Sequence, residues 1–152
     1  MTTNVLSAGT LGGIGTPLNF NVFWIPVLAG SVIPAGSTVY LDKSTGVWTL
    51  ATTSFITNTI YGICNDEVND SADNASPIIS VTCWGLANII TDAVLAFGAL
   101  LTISDTNAGQ MMAVTDEIGE GLAKTFSDGT EDGPATVFFN GFGDTDTDTG
   151  GT

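Results

Sequence analysis

The glycines of this chain come in the same order twice. Gly36, Gly46, Gly62 and Gly85 in the first half answer to Gly98, Gly109, Gly121 and Gly141 in the second, at offsets of 62, 63, 59 and 56 residues. The intervening residues correspond as well. Thr38-Val39-Tyr40-Leu41 leads to a turn at Gly46, then to Tyr61-Gly62-Ile63-Cys64 and an acidic loop ending at Pro77. Ala99-Leu100-Leu101-Thr102-Ile103 leads to a turn at Gly109, then to Gly121-Leu122-Ala123 and an acidic loop ending at Pro134. A drift of a few residues between copies is what small loop insertions produce, so the chain reads as a duplicated unit.

The unit is built of strands. Val39-Tyr40-Leu41 and Val47-Trp48-Thr49-Leu50 flank Asp42-Lys43-Ser44-Thr45-Gly46, and β-branched and aromatic runs on either side of a Gly-ended turn predict a hairpin. Ile60–Cys64 and Val137–Phe139 predict further strands, and Ile79, Val81 and Cys83 alternate onto one face. Ile89–Leu101 fits helix or strand, with Gly98 marking a turn inside it. The expected fold is mainly β: a small β-barrel or β-sandwich made of the duplicated unit. Residues 1–32 are read as an extended N-terminal arm and 33–142 as a single β domain with repeats at about 33–85 and 94–141. Residues 143–152, GDTDTDTGGT, are read as a flexible acidic tail.

Charge narrows the chemistry. Among 152 residues there are 16 acidic side chains, only Lys43 and Lys124 as cations, and neither Arg nor His, for a net charge of −14. Two cations cannot neutralise a phosphate backbone, so no nucleic-acid partner is expected. The lack of His removes the usual general base and the commonest zinc ligand. No enzyme activity and no cofactor are expected. Met1–Thr16 has neither a positive residue nor a long apolar run, and Ala93–Ile103 is far short of a membrane span, so no signal peptide and no membrane partner are expected.

Cys64 and Cys83 are separated by 18 residues. They can form one disulfide or serve as two buried thiols. Their counterparts in the aligned repeat are Ala123 and Phe139, both apolar, which places the two positions in the core.

Several residues are candidate sites. Asp144, Asp146 and Asp148 alternate like the first oxygens of a calcium loop, but the chain ends before the closing Glu, so they read as a solvated tail with weak calcium potential and no metal is assigned. Asp66, Glu67, Asp70 and Asp73 can gather calcium or act as paired carboxylates, although the Asn/Ser-rich setting reads as an exposed connection; Asp116, Glu117 and Glu120 read likewise. Asn69-Asp70-Ser71 and Asn74-Ala75-Ser76 match the glycosylation pattern without a secretion signal beside them. Phe20, Phe23, Trp24 and Ile25 form an apolar cluster that either fills a core end or packs on a partner; they are the candidate partner-binding residues.

The run Ile33-Pro34-Ala35-Gly36-Ser37-Thr38-Val39-Tyr40-Leu41, a turn, and Tyr61-Gly62-Ile63, followed by a second copy at Gly98–Leu101 and Gly121-Leu122-Ala123, resembles the small capsid-decoration (head cement) proteins of tailed bacteriophages. The resemblance covers about residues 33–141. It implies a small β fold without catalysis, made in the host cytoplasm and bound to the major capsid protein lattice on the outer surface of the virion as a homo-oligomer, with a trimer favoured. The long apolar N-terminal segment and the Asp-Thr tail depart from that pattern. Two other readings accompany it: a self-assembling tail-tube or filament subunit, and a calcium- or carbohydrate-binding β module. A carboxylate-dependent hydrolase is the remaining alternative and requires two facing carboxylates in a cleft.

Overall fold

The computed structural model describes residues 22–26, 32–69, 78–114 and 121–141. Twelve strands are present among them: β1 (Val22–Pro26), β2 (Val32–Ile33), β3 (Thr38–Asp42), β4 (Val47–Leu50), β5 (Tyr61–Cys64), β6 (Val68–Asn69), β7 (Ile78–Thr82), β8 (Trp84–Ile90), β9 (Leu100–Ile103), β10 (Met111–Ala113), β11 (Ala123–Thr125) and β12 (Pro134–Asn140). No helix occurs among the described residues. The ambiguous segment resolves as strand to Ile90, loop, a turn at Phe97–Gly98, and strand again from Leu100.

The strands form two five-stranded antiparallel sheets. The first runs β1-β7-β5-β3-β4 and the second β8-β12-β11-β9-β10. One order is the other with each strand replaced by its counterpart. A hairpin (β3–β4, β9–β10) pairs with the third strand of its half, that strand pairs with the fourth, and the fourth carries the strand that precedes the hairpin. β2 and β6 pair separately. Of the segment read as an arm, residues 1–32, Val22–Pro26 is thus the outer strand of the first sheet and Val32 opens β2; Trp84–Ile90 holds the outer place in the second sheet.

Backbone hydrogen bonds repeat with the strands. Gly36 N–H donates to Cys64 C=O at 2.7 Å and Gly98 N–H to Thr125 C=O at 3.1 Å. Cys64 N–H donates to Ser37 C=O and Thr125 N–H to Ala99 C=O, at 2.9 and 3.0 Å. Asn65 N–H to Ser80 C=O and Phe126 N–H to Thr136 C=O are both 2.8 Å. Gly36 and Gly98 share φ values of 83° and 81°, a left-handed conformation that L side chains adopt only with strain. These bonds also correct one alignment. Cys64 corresponds to Thr125 rather than to Ala123, whereas Cys83, next to Thr82, keeps Phe139 as its counterpart.

Among the described residues neither sheet closes into a barrel by a ladder, which corrects that alternative. The outer edges of the second sheet touch through a single parallel bridge, Thr91 to Met111, with Asp92 N–H donating to Met111 C=O at 3.1 Å. The larger core joins the halves: Tyr61, Ile63 and Ala51 pack with Ile89, Leu101, Ile103, Met111, Val137 and Phe139. The smaller core lies within the first half and holds Ile33, Val39, Trp48, Cys64, Val81 and Cys83.

The halves are also joined through the backbone. Thr38 N–H donates to Gly109 C=O (2.7 Å), Gly109 N–H to Ala51 C=O (2.9 Å), Ile90 N–H to Gly36 C=O (3.1 Å) and Tyr61 N–H to Gly141 C=O (2.8 Å). Each of these four bonds has a glycine on one side, and at Gly141 the approach leaves no room for a side chain. A Cβ at Gly141 would lie 1.8 Å from the carbonyl oxygen of Tyr61.

Candidate functional site

The two cysteines are free, buried thiols in the smaller core. Burial pushes both thiols up to about 11, and the Cys64 Sγ–H donates to Asp66 C=O at 2.8 Å. A thiol in that state is neither a nucleophile nor a metal ligand at neutral pH.

The acidic candidates do not converge. Asp66 and Glu67 are exposed in the turn after β5. Asp70, Asp73, Asn74, Asp116, Glu117, Glu120, Asp144, Asp146 and Asp148 lie outside the described residues. Among the described residues no group of three or more His, Cys, Asp or Glu is placed to hold a metal ion. Three described carboxylates of the second half serve local structure: Asp128 Oδ1 accepts from Phe97 N–H (3.0 Å), Asp132 Oδ1 accepts from Gln110 Nε2 (3.1 Å), and Asp92 Oδ2 accepts from Ser104 Oγ.

Of the predicted apolar cluster, Phe20 lies outside the described residues. Phe23, Trp24 and Ile25 are in β1, in register with Val81, Ser80 and Ile79. A cleft of about 240 Å³ opens at the junction of the halves, lined by Ala35, Gly36, Cys64, Asn65, Asn88, Ile89, Ile90 and Pro134. It carries no charged side chain. Asn65 is held by Ser80 and Thr82 within the first half, and Asn88 accepts from Thr136 within the second, so both amides are already engaged inside their own sheets.

The surface that stands out was not singled out in the sequence. Val94, Phe97, Leu100 and Phe126 are large apolar side chains exposed to between 49% and 76%. They come from the loop between β8 and β9, the start of β9, and the residue after β11. Gly98 N–H to Thr125 C=O and the Leu100–Lys124 pair of the ladder bring these elements together. Leu95, buried and bridged to Gly129, anchors the loop, while Ala93, Val94, Ala96 and Phe97 remain outside. The signal for this patch was available in the repeat, because Phe97 sits before Gly98 where Ala35 sits before Gly36.

No protein-family model matches the chain, and no curated protein matches it. A solved structure does. It is the crystal structure of the head fiber gp8.5 N base in bacteriophage phi29, matched with a TM-score of 0.56 and 11% sequence identity over 78% of this chain and 94% of that one. The two share a fold. At that identity the likeness concerns the path of the backbone, since few side chains are held in common.

Proposed function

We propose that this chain is a structural protein of a bacteriophage particle that binds the outer surface of the capsid and reinforces the head, without catalysis. The observation that carries the proposal is the fold shared with a phage head-fibre base across nearly the whole of that structure. The composition agrees with it: without His or Arg the chain lacks the usual catalytic and phosphate-binding groups, and its polarity comes from Thr, Ser, Asn and Gly.

A protein that braces a shell needs rigidity and an adhesive face rather than a reactive centre. Two sheets sharing one core, with main chains bonded across the junction, provide the rigidity. A net charge of −14 keeps free copies apart until they meet a surface of opposite sign. The partner in this reading is the major capsid protein lattice, with the chain acting as a homo-oligomer, a trimer being the favoured form.

Cryo-electron microscopy of particles from the lysate that makes this chain tests the reading. Density for the two-sheet fold on the outer lattice, at a fixed number of copies per capsid subunit, is expected. Density only in a tube or filament moves the chain to the self-assembling alternative. Absence from every particle refutes a virion role.

A further inference from the structure

We infer that the patch of Val94, Phe97, Leu100 and Phe126 is the docking face of the chain, and that its partner is a protein surface apolar at its centre and lined with Lys or Arg at its rim. This rests on the capsid-binding reading above and names the face that would serve it.

The duplicated topology supplies an internal comparison. The matched hydrogen bonds place Phe97 where the first half has Ala35, Leu100 where it has Thr38, and Phe126 where it has Asn65. In the first half part of this surface is already covered, while Ala35 is small and exposed and Asn65 is half-buried. Gly36, Ser37 and Thr38 are buried, with Gly36 and Thr38 bonded to Ile90 and Gly109 of the second half. In the second half no described element covers the corresponding face. Thr38 is 0% exposed and Leu100 is 49% exposed.

Solvent alone would favour small or polar residues on the uncovered copy. The chain has the reverse: Phe for Ala, Leu for Thr and Phe for Asn, all on the face that meets water. Exposed clusters of large apolar side chains mark interaction surfaces, and aromatic side chains are the usual anchors of such contacts.

Charge selects the partner. Exposed Asp128 borders the patch through Phe97 N–H, and Lys124 pairs with Leu100 in the ladder, on a chain of net charge −14. A second copy would bring another −14 to the contact, which like-charge repulsion opposes. A basic rim on a different protein answers both the patch and the charge.

The test uses the full chain and particles assembled without it, comparing wild type with Phe97→Ser/Phe126→Ser and, separately, Val94→Asp. Circular dichroism and melting temperature verify that each variant is folded. Wild type is expected to bind the particles, to weaken several-fold as salt screens the rim, and to sediment without association through the patch. The double variant is expected to bind about 30-fold more weakly or worse. Undiminished binding by both folded variants overturns the patch while leaving the capsid-binding reading intact. Self-association of wild type that Phe97→Ser/Phe126→Ser abolishes overturns it in favour of a second copy. Failure of wild type to bind any particle overturns the capsid-binding reading and this inference with it.

Discussion

Substituting Gly141 with Ala tests how the two halves are held together. The added methyl carbon would sit 1.8 Å from the Tyr61 carbonyl oxygen and 2.7 Å from its carbonyl carbon. Both are backbone atoms, so no side-chain rotation relieves the clash and β5 must separate from the end of β12. Two hydrogen bonds meet at this residue: Gly141 N–H to Cys83 C=O and Tyr61 N–H to Gly141 C=O, each 2.8 Å. Losing them costs about 0.5–1.5 kcal/mol apiece. Forcing extra volume between packed elements costs about 1–3 kcal/mol more. Together they destabilise by about 2–6 kcal/mol, a large part of a typical domain's margin. In urea this moves the midpoint down by roughly 2 M, followed by the fluorescence of the chain's tryptophans. Gly46→Ala is the control. Gly46 has a φ of 73° and open space where a Cβ would stand, so that variant carries only the left-handed backbone penalty, about 1–2 kcal/mol. If Gly141→Ala lies within about 1 kcal/mol of wild type, or is no weaker than Gly46→Ala, the backbone junction does not hold the halves as described here.

Other predictions follow from the same structure. Both thiols stay unreactive towards a thiol reagent at pH 8 in the native protein and both react once it is unfolded. Because folding raises them to about 11 from about 9, their contribution to stability is complete below pH 9 and is lost as pH rises towards 11; Cys83→Ala lessens that alkaline loss in urea midpoints measured against pH. Leu101→Ala removes a side chain that is 0% exposed in the core shared by the halves, and its cost of about 2–5 kcal/mol is read as a lower melting temperature. Asp42 is held below its ordinary value by the hydroxyl and N–H of Ser44, so Ser44→Ala moves its titration upward in carboxyl NMR, only part of the way because the Ser44 N–H remains.

The charge pattern of the chain sets physical limits on the attachment proposed for it. With so few cations and a carboxylate-rich surface, association steered by charge must depend on ionic strength. In the docking proposed for the apolar patch, its burial would contribute a part that does not. A complex that survives high salt while forming more slowly there is the behaviour expected of the two acting together.

What was legible in the sequence was local. The hairpin around Gly46, the strand Tyr61–Cys64 and the strand containing Val137–Phe139 all show in period-two patterning and turn residues, which act over a few positions. The repeated order of strands showed in the glycines because Gly36 and Gly98 occupy the same left-handed turn, and that conformation selects the residue type directly. The absence of His and Arg bounded the chemistry before any fold was known. Other features depended on pairing over long range. Gly62 and Gly121 looked equivalent, yet the ladder puts Gly62 against Val39 and Ala123 against Leu101, because register follows the hydrogen bonds between strands and not the spacing along one of them. Val22–Pro26 read as an arm since nothing in five residues shows that Ile78–Thr82, more than fifty positions away, will pair with them. The outward placement of Phe97 and Phe126 was hidden for the same reason. An apolar side chain is drawn into a core only if an opposing surface exists: Thr38 meets the second half and is buried, whereas its counterpart Leu100, with Phe97 and Phe126 beside it, has no described element over it.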